Sequence, residues 1–200
     1  MKGKIIILSA PSGTGKSTII SRIIGDPRLR LGFSISATSR APRGEEQNGR
    51  EYYFITNEEF KERAERGDFV EWEEVYPGTC YGTLRSEVER VTTGGHNLIM
   101  DIDVKGGLNV KRCYGSDALA IFILPPSLEA LEERLRGRGT DAEDRILKRL
   151  AKAEYELSFA DRYDCRVVND DLERASAEVA ELIVRFIESG AKEEECASEA

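Results

Sequence analysis

A nine-residue segment near the N-terminus constrains the fold more than any other part of the sequence. Residues 9–17 read Ser-Ala-Pro-Ser-Gly-Thr-Gly-Lys-Ser. They follow the apolar run Ile5–Leu8 and precede isoleucines at helical spacing from Ile19 to Ile24. Strand, glycine-containing loop, Lys-Ser and helix are the order of a phosphate-binding loop. The alternative, a glycine-rich turn followed by a surface lysine, is disfavoured by the strand and helix on either side.

The residue types in this loop suit it to hold phosphate. Gly13 and Gly15 allow the backbone to bend so that its N–H groups point towards phosphate oxygens. The helix that begins at Lys16 directs its positive end towards the same anion. Lys16 adds a full charge for the terminal phosphates, and the hydroxyl of Ser17 can bind Mg²⁺. Ala10 stands where the usual pattern has its first glycine, and it fits if its φ angle stays negative.

Length and charge restrict the possible classes of function. A chain of 200 residues suits one α/β domain with a small inserted lobe. The net charge of −8 argues against general binding to nucleic acids or membranes, but a nucleotide responds to the local field of a cleft. The longest apolar run, residues 118–124, is too short to cross a bilayer. The chain passes almost directly from Lys4 into a strand, so we expect no signal peptide.

The cysteines and the histidine give little support for a metal or disulfide framework. Cys80, Cys113, Cys165 and Cys196 are scattered and form no Cys-x-x-Cys pair. This spacing predicts reduced thiols in a cytoplasmic protein. His96 is the only histidine, so neither a histidine-based zinc site nor a histidine-dependent triad is supported.

Short strand-like apolar runs alternate with longer helical runs along the chain. This alternation predicts a largely parallel sheet with helices on both faces, in which ligands bind beyond the carboxyl ends of the strands. With the phosphate loop after the first strand, the expected fold class is α/β of the P-loop NTPase type. The predicted strands are Lys4–Ser9, Phe33–Ala37, Leu98–Ile102, Ala118–Leu124 and Arg166–Val168. The predicted helices are Lys16–Ile24, Leu84–Val91, Leu128–Arg136, Asp141–Phe159 and Ala175–Ile187.

The segment from Arg40 to Tyr81 interrupts the alternation. It contains a loop-like stretch, an aromatic strand over Tyr52–Ile55, a short helix and a second strand around Asp68–Trp72. We interpret it as a small mixed α/β lobe inserted into the main fold.

Capping signals mark several helix ends. Thr56 followed by Glu59 is a capping box for the short helix of the lobe, and Gly67 suits its C-terminal end. Ser127 and Thr140 are the predicted N-caps of the two helices that follow the fourth strand.

Two arginines in the inserted lobe form a candidate second phosphate site. Arg40 and Arg43 are three residues apart, and Pro42 stiffens the loop between them, so their side chains can converge on one anion. Considered alone, this stretch is equally compatible with a solvated basic loop.

The wider pattern around these arginines resembles the signature of guanylate kinases, over about residues 3–187. The matching motifs are Thr38-Ser39-Arg40 with Arg43, Glu46, Gly49 and Tyr52-Tyr53-Phe54-Ile55; Phe69-Val70-Glu71-Trp72; Tyr81-Gly82-Thr83; Asp101-Ile102-Asp103; Gly137-Arg138-Gly139-Thr140; and Asn169-Asp170. Several bacterial members also begin the phosphate loop with Ser-Ala-Pro-Ser-Gly, so Ala10 is within the range of the family.

The resemblance implies transfer of the γ-phosphoryl group of ATP to GMP or dGMP, with Mg²⁺, giving ADP and GDP or dGDP. It implies ATP contacts from Ala10, Pro11, Ser12, Gly13, Thr14, Gly15, Lys16, Ser17, Thr18, Arg134, Arg138 and Asn169, the last near adenine. It implies GMP phosphate contacts from Arg40, Arg43, Tyr52 and Tyr81, and guanine contacts from Ser36, Glu71, Thr83 and Asp103. It implies catalytic roles for Lys16, Arg43, Arg138 and Arg149.

The chemistry of guanine supports the role of Glu71 independently. Guanine offers adjacent N1–H and N2–H donors, and a carboxylate accepts both at once. Adenine has an acceptor at N1 and no 2-amino group, so the same carboxylate would meet a lone pair. In an isolated strand, a solvent-facing role would be the better interpretation of Glu71.

Two aspartates at the end of one strand are expected to divide their roles. Asp101 and Asp103 are separated by Ile102, and we expect them to point to opposite sides of the strand end. We expect Asp103 to face guanine, and Asp101 to help Ser17 place Mg²⁺ through water.

The resemblance also implies a division into functional parts within residues 3–187. The core is expected over residues 3–32, 84–126 and 150–187, the GMP-binding lobe over 33–83 and the lid over 127–149, followed by an acidic, frayed tail over 188–200. Glycines at 137 and 139 suggest a turn at which the lid can move and exclude water.

Two other functions compete with the enzyme. Guanylate-kinase-like domains of scaffold proteins bind other proteins, but they typically lack a working phosphate loop and the lid arginines. A related kinase acting on a ribose phosphate would have no use for Glu71, Tyr81 and Asp103 as a guanine-reading set. The expected partners are therefore the small substrates ATP and GMP or dGMP, without nucleic acid or membrane, in a monomer or small homo-oligomer.

Overall fold

A five-stranded parallel sheet forms the centre of the computed structural model, which describes residues 2–137 and 142–198, with side chains as far as residue 189. Its strands, in spatial order, are β2 (Leu31–Phe33), β7 (Asn97–Asp101), β1 (Ile5–Ser9), β8 (Ala118–Leu124) and β9 (Cys165–Val168). All neighbouring strands in this sheet run parallel. The fold class predicted from the alternation of apolar runs is confirmed.

Helices cover both faces of this sheet. The helices on its faces are α1 (Lys16–Ile23), α3 (Arg85–Thr93), α4 (Val104–Tyr114) and α7 (Leu172–Ser198). Two further helices, α5 (Leu128–Gly137) and α6 (Glu143–Leu157), pack against each other, and α2 (Asn57–Glu65) belongs to the inserted lobe. In β1, Ile6 and Leu8 join the core beneath α1 and α7, whereas Ile5 and Ile7 join the core beneath α3 and α4. A strand buried on both faces needs apolar side chains at every position, which explains the continuous run of residues 5–8.

A second, four-stranded sheet forms the inserted lobe. Its strands, in spatial order, are β4 (Tyr53–Phe54), β3 (Ala37–Thr38), β6 (Thr79–Leu84) and β5 (Phe69–Tyr76), and α2 (Asn57–Glu65) packs against it. The rings of Phe60 from α2 and Phe69 from β5 stack at 4.4 Å between centroids, and both are buried. The lobe therefore has a small core of its own.

The predicted single strand Phe33–Ala37 is wrong, because the chain changes sheets within it. β2 ends at Phe33 in the central sheet, and β3 begins at Ala37 in the lobe. Between them, the N–H of Ile35 donates to the carboxylate of Glu87 at 2.9 Å, a side-chain partner that takes the place of a strand neighbour. A β-type composition cannot reveal which sheet each end of such a run joins.

The structure also contains two elements that the sequence argument did not predict. β6 pairs antiparallel with β5 through a short turn. α4 carries Gly106 and Gly107, which lower helix propensity and hide its pattern. These glycines permit close packing: a Cβ on Gly107 would lie 2.6 Å from the hydroxyl oxygen of Tyr163 and 2.7 Å from that of Ser9.

We therefore expect Gly107→Ala to destabilise the protein despite the better helix propensity of alanine. The two hydroxyls donate to the Val104 and Asp103 carbonyls, so moving them disturbs buried hydrogen bonds. Overpacking of this kind costs about 1–3 kcal/mol. Urea unfolding measures the loss, with Gly25→Ala as the control, because a Cβ there meets nothing within 4 Å. Equal stability of the two variants would contradict the packing argument.

Helix ends follow the predicted capping signals where the structure describes them. The hydroxyl of Thr56 accepts from the N–H of Glu59 at 3.1 Å, and that of Ser127 accepts from the N–H of Ala130 at 3.1 Å. Gly67 has a φ angle of 75° just after α2, as expected for a C-terminal glycine. The predicted cap Thr140 lies outside the described residues.

The last helix is longer than the sequence argument predicted. α7 begins at Leu172 and continues to Ser198, well beyond Ile187. Residues 188–198 are rich in alanine, glutamate and lysine, which have high helix propensity. None of the described helices combines the length and the apolar character that crossing a membrane requires.

Candidate active site

The loop between β1 and α1 has the backbone that its glycines predict. Gly13 and Gly15 have φ angles of 96° and 98°, in the left-handed region that residues with a side chain disfavour. Thr14 between them is buried, and both its N–H and its hydroxyl donate to the carbonyl of Pro11, at 3.2 and 2.7 Å. Ala10 is buried and is not among the described residues with positive φ, as its place in the loop requires.

Two side chains from outside the loop hold it in this shape. Asn169, only 4% exposed, donates its amide to the carbonyl of Thr14 at 2.7 Å. Arg134 from α5 donates to the carbonyls of Asn169 and Thr14, at 2.8 and 3.4 Å. The amide nitrogen of Asn169 would lie 2.5 Å from a Cβ on Gly15. Glycine is therefore needed at this position both for the positive φ angle and for the close approach of Asn169. Both side chains therefore support the loop backbone.

Asp101, at the carboxyl end of β7, connects the loop to the central strands. Its carboxylate forms an ion pair with Lys16 and accepts a hydrogen bond from the Ser17 hydroxyl at 3.2 Å. Lys16 also donates to the carbonyl of Ile102 at 3.1 Å. The lysine ammonium, the serine hydroxyl and the aspartate therefore meet at one point beyond the end of the sheet.

A cavity of about 420 Å³ opens above the loop. It is lined by Ala10, Pro11, Ser12, Gly13, Gly15, Lys16, Ser17, Thr18, Asp101, Ile102, Asp103 and Glu156. Arg149 from α6 reaches its rim, where it donates to the hydroxyl of Ser12. Arg138, the other predicted lid arginine, lies outside the described residues. Most of the loop residues predicted to bind ATP thus surround one open space.

Arg40 of the lobe is held in place by several partners. Its guanidinium donates to both carboxylate oxygens of Glu46, at 2.6 and 2.8 Å, and to the hydroxyl of Tyr81 at 2.9 Å. It also lies 5.0 Å from the ring centroid of Tyr52. Arg43 is exposed, and its N–H donates to Glu46 at 2.8 Å. Hydrogen bonds from Arg40 and the Arg43 N–H lower the pKa of Glu46 to about 2, so Arg40 faces a full negative charge.

A second cavity, of about 370 Å³, separates the lobe from the central sheet. It is lined by Phe33, Ser34, Ile35, Ser36, Arg50, Glu51, Tyr52, Thr83, Ile99, Met100, Asp101 and Ile102. Three of the residues predicted to bind GMP, namely Ser36, Tyr52 and Thr83, are among them. Asp101 and Ile102 line this cavity and also the cavity above the phosphate loop. The two spaces therefore meet at the end of β7.

Glu71 on β5 is a partly buried carboxylate whose hydrogen-bond partner, Thr83, lines the second cavity. Burial raises its pKa to about 7, a hydrogen bond from the Thr83 hydroxyl at 2.8 Å opposes the rise, and the charge of Asp103 adds to it. Its other oxygen would lie 3.1 Å from a Cβ on Gly106. A partly buried carboxylate whose second oxygen lies near Gly106 suits a ligand with paired N–H donors.

Asp103 has a structural role that the sequence argument did not include. Its side chain caps α4, where it accepts from the N–H groups of Lys105 and Gly106, at 2.8 and 3.1 Å. Its second oxygen would lie 2.9 Å from a Cβ on Gly106, on the side towards Glu71. Asp103 lies beside Glu71, but it lines the cavity above the phosphate loop together with Asp101, so the expectation that the two aspartates point to opposite sides is wrong. β7 ends at Asp101 and Asp103 caps α4, so strand alternation does not set the direction of Asp103.

Two acidic residues near the site were given no role by the sequence argument. Glu46 belongs to the motif that carries Arg40, and its spacing is the signal that could have identified it as the partner of that arginine. Glu156 from α6 lines the cavity above the phosphate loop and is buried, which raises its pKa although Lys152 lies 3.5 Å away. No local sequence signal distinguishes Glu156 from other helical glutamates.

The site suits Mg²⁺ held together with a phosphate ligand. The hydroxyl of Ser17 and the carboxylate of Asp101 are hard oxygen donors on the same side of the loop. Among residues 2–137 and 142–189, no group of three or more His, Cys, Asp or Glu side chains could hold a metal ion. Mg²⁺ is usually bound by one or two protein groups with substrate phosphates, so the residues present fit that ion.

A phosphate loop after the first strand of a parallel sheet, with an arginine site in an inserted lobe facing it, defines a P-loop phosphotransferase of the nucleoside monophosphate kinase type. The sequence model of the family described as guanylate kinase matches residues 2–186. The chain therefore belongs to the guanylate kinase family, whose members are enzymes that phosphorylate GMP using ATP.

Individual relatives agree with this assignment. A guanylate kinase of Porphyromonas gingivalis is 57% identical over 184 residues, which are 92% of this chain and 98% of that protein. One from Bacteroides thetaiotaomicron is 54% identical over 187 residues, or 94% and 91% of the two chains. The crystal structure of guanylate kinase from Anaplasma phagocytophilum superposes with a TM-score of 0.68 at 30% identity, covering 91% of this chain and 85% of that one.

Proposed function

We propose that this protein transfers the γ-phosphoryl group of ATP to GMP or dGMP, with ATP bound above the phosphate loop and the acceptor bound in the lobe cavity. The observation that carries the proposal is that the two cavities share Asp101 and Ile102 as lining residues. Two nucleotides that enter from opposite sides would bring their phosphates together at this point, beside Lys16. Such an arrangement supports direct transfer between them.

The proposed reaction needs no protein base. The nucleophile is a phosphate oxygen of the acceptor, which is already ionised at neutral pH. The contribution of the chain is therefore to align the two phosphates and to offset their charge. Lys16 and the main-chain N–H groups of the loop would hold the donor phosphates, and Arg40 would hold the acceptor phosphate with Tyr52 and Tyr81.

We propose that Ser17 and Asp101 hold Mg²⁺ when ATP is bound. The ion would offset charge on the donor phosphates as transfer proceeds. Lys16 forms an ion pair with the carboxylate of Asp101. Bound phosphates would compete for that ammonium, which would leave Asp101 free to orient the waters of the ion.

The guanine site is proposed to consist of Glu71 with Ser36, Thr83 and Asp103. Glu71 would accept the N1–H and N2–H donors of guanine, while Thr83 keeps that carboxylate oriented. The roles of Arg43, Arg138 and Arg149 at the phosphates, and of Asn169 near adenine, stay predictions of the family resemblance. The lid over residues 127–149, a cytoplasmic location and a monomer or small homo-oligomer also stay predictions.

Turnover of ATP with a panel of acceptors tests the proposed function. We expect Mg²⁺-dependent formation of ADP with GMP and dGMP, and an efficiency at least about 10³-fold lower with AMP and CMP, because buried polar groups would be left unpaired. A ribose bisphosphate serves as the acceptor for the competing kinase. Turnover with that acceptor in preference to GMP would overturn the guanine site, and no turnover with any acceptor would favour a protein-binding role.

A further inference from the structure

Glu87 is a buried carboxylate that none of the roles above uses. It lies in the first turn of α3, where it is 2% exposed. One of its oxygens accepts from the N–H of Ile35 at 2.9 Å, and the other accepts from the hydroxyl of Tyr53 at 3.1 Å. Arg90, one turn further along α3, donates to both oxygens at 2.7 and 2.9 Å. Every oxygen of this carboxylate therefore has partners.

The contacts of Glu87 connect the core with two parts of the inserted lobe. The segment of residues 34–36 carries the chain out of the central sheet into the lobe, and the junction of β6 with α3 brings it back. Glu87 lies just after the return and binds Ile35 in the outward segment. It also binds Tyr53 on β4, at the far edge of the lobe sheet. One side chain of the core thus fixes both the outward segment and an edge strand of the lobe.

The negative charge of the Glu87 carboxylate is stabilised by its hydrogen bonds although the side chain is buried. Burial alone would raise its pKa, but hydrogen bonds from Arg90, the Ile35 N–H and the Tyr53 hydroxyl together lower that pKa below its ordinary value. The carboxylate is therefore ionised at neutral pH, and its hydrogen bonds are of the stronger, charge-assisted kind.

The partners of Glu87 are direct neighbours of two residues that line the lobe cavity. Ile35 immediately precedes Ser36, and Tyr53 immediately follows Tyr52. We propose that Glu87 is a positioning residue for the acceptor nucleotide: by holding Ile35 and Tyr53 it sets the placement of Ser36 and Tyr52 in the cavity. This inference rests on the proposed function, because it takes GMP as the occupant of that cavity.

Loss of this anchor should weaken acceptor binding without affecting donor binding. Without Glu87, the outward segment and β4 can take orientations in which Ser36 and Tyr52 do not face the cavity together. The measured affinity for GMP then falls with the fraction of molecules that are competent to bind. Among the residues that the structure describes, the hydrogen-bond partners of Glu87 are Ile35, Tyr53 and Arg90, and none of these belongs to the phosphate loop. Donor binding therefore depends on other residues.

The test compares Glu87→Ala and Glu87→Gln with the wild-type protein by calorimetric binding of GMP and of a non-hydrolysable ATP analogue. We expect the Kd for GMP to rise about tenfold or more in Glu87→Ala and less in Glu87→Gln, which keeps one acceptor. The Kd for the ATP analogue should stay within about twofold, and kcat at saturating GMP within about threefold. Glu89→Ala is the control, because Glu89 is an exposed glutamate on the same helix.

A second variant keeps the inference testable if Glu87→Ala does not fold. Tyr53→Phe removes one hydroxyl and leaves the ring, so it should weaken GMP binding by a smaller factor. Combined with Glu87→Gln, it should weaken binding by less than the product of the single effects, because both act through one contact.

The outcomes separate this inference from the proposed function. Unchanged GMP affinity in the Glu87 variants, or equal losses for GMP and the ATP analogue, would overturn the inference while wild-type turnover with GMP upheld the function. Wild-type protein that does not bind GMP at all would overturn both.

Discussion

Replacing Lys16 with alanine is expected to lower phosphoryl transfer by about 10³-fold or more, because the loop would lose its full positive charge at the point where the two cavities meet. The main-chain N–H groups would still bind the donor phosphates, so the loss should fall on kcat more than on the Kd of ATP. The fold should stay intact. The ammonium of Lys16 contacts the carboxylate of Asp101 and the carbonyl of Ile102, and Asp101 keeps the Ser17 hydroxyl when these contacts are lost.

Steady-state kinetics and circular dichroism together test this expectation. Lys61→Ala is the matched control, because it removes an exposed lysine from α2, away from both cavities. Wild-type rates in Lys16→Ala would remove the loop lysine from the mechanism. Loss of the far-UV signal in that variant would mean that Lys16 contributes to folding in a way that its contacts do not explain.

The central fold could be predicted because its signals are local. Apolar runs of strand length, such as residues 5–8 and 118–124, are buried on both faces of the sheet. Each run predicts its strand from its own residues, without information about distant parts of the chain. α4 escaped prediction for the opposite reason. Its Gly106 and Gly107 are selected by what lies across from them, Tyr163 and Ser9 among others, and those neighbours are distant in sequence.

The candidate site was predictable to the extent that backbone conformation or a motif specifies it. The φ angles of Gly13 and Gly15 follow from the loop pattern. The pairing of Asp101 with Ser17 follows from the phosphate loop after β1 and the carboxyl end of β7 lying at one edge of the sheet. The supports were not predictable. Asn169 is held against the loop, and Glu87 against Ile35, through contacts that join residues far apart in the chain.

Replacing Glu71 with glutamine is expected to lower kcat/KM for GMP by about 100-fold, while the KM for ATP changes little. The amide keeps one oxygen, which can still accept from Thr83, but it offers a donor where guanine also has one. The same amide can donate to N1 of adenine, so the preference for GMP over AMP should narrow. Kinetics with GMP, AMP and ATP measure these changes, and Thr83→Val is the companion variant that removes only the orienting hydroxyl. Equal losses for GMP and ATP would contradict the assigned role.

The pH dependence of the same variant separates the carboxylate from the substrate. Burial raises the pKa of Glu71 to about 7, and only its ionised form can accept two guanine donors. In the wild type, kcat/KM for GMP should therefore rise as pH increases through about 7, because this parameter reports the free enzyme. The phosphate of GMP also titrates, near pH 6. Glu71→Gln should keep that lower inflection and lose the upper one.

The same shift predicts how the stability of Glu71→Gln depends on pH. Because the folded-state pKa of Glu71 lies above the ordinary value of 4.5, the protonated carboxyl stabilises the fold, and this contribution is lost as pH rises through about 7. Glutamine is neutral at every pH. The variant should therefore match the wild type near pH 4.5 and exceed its free energy of unfolding above pH 7, by up to about 3 kcal/mol. Urea unfolding at pH 5 and pH 8 measures the difference. A variant less stable than the wild type at pH 8 would mean that Glu71 is ionised in the folded protein without a free-energy cost. That result would contradict the raised pKa on which the pH dependence of guanine binding depends.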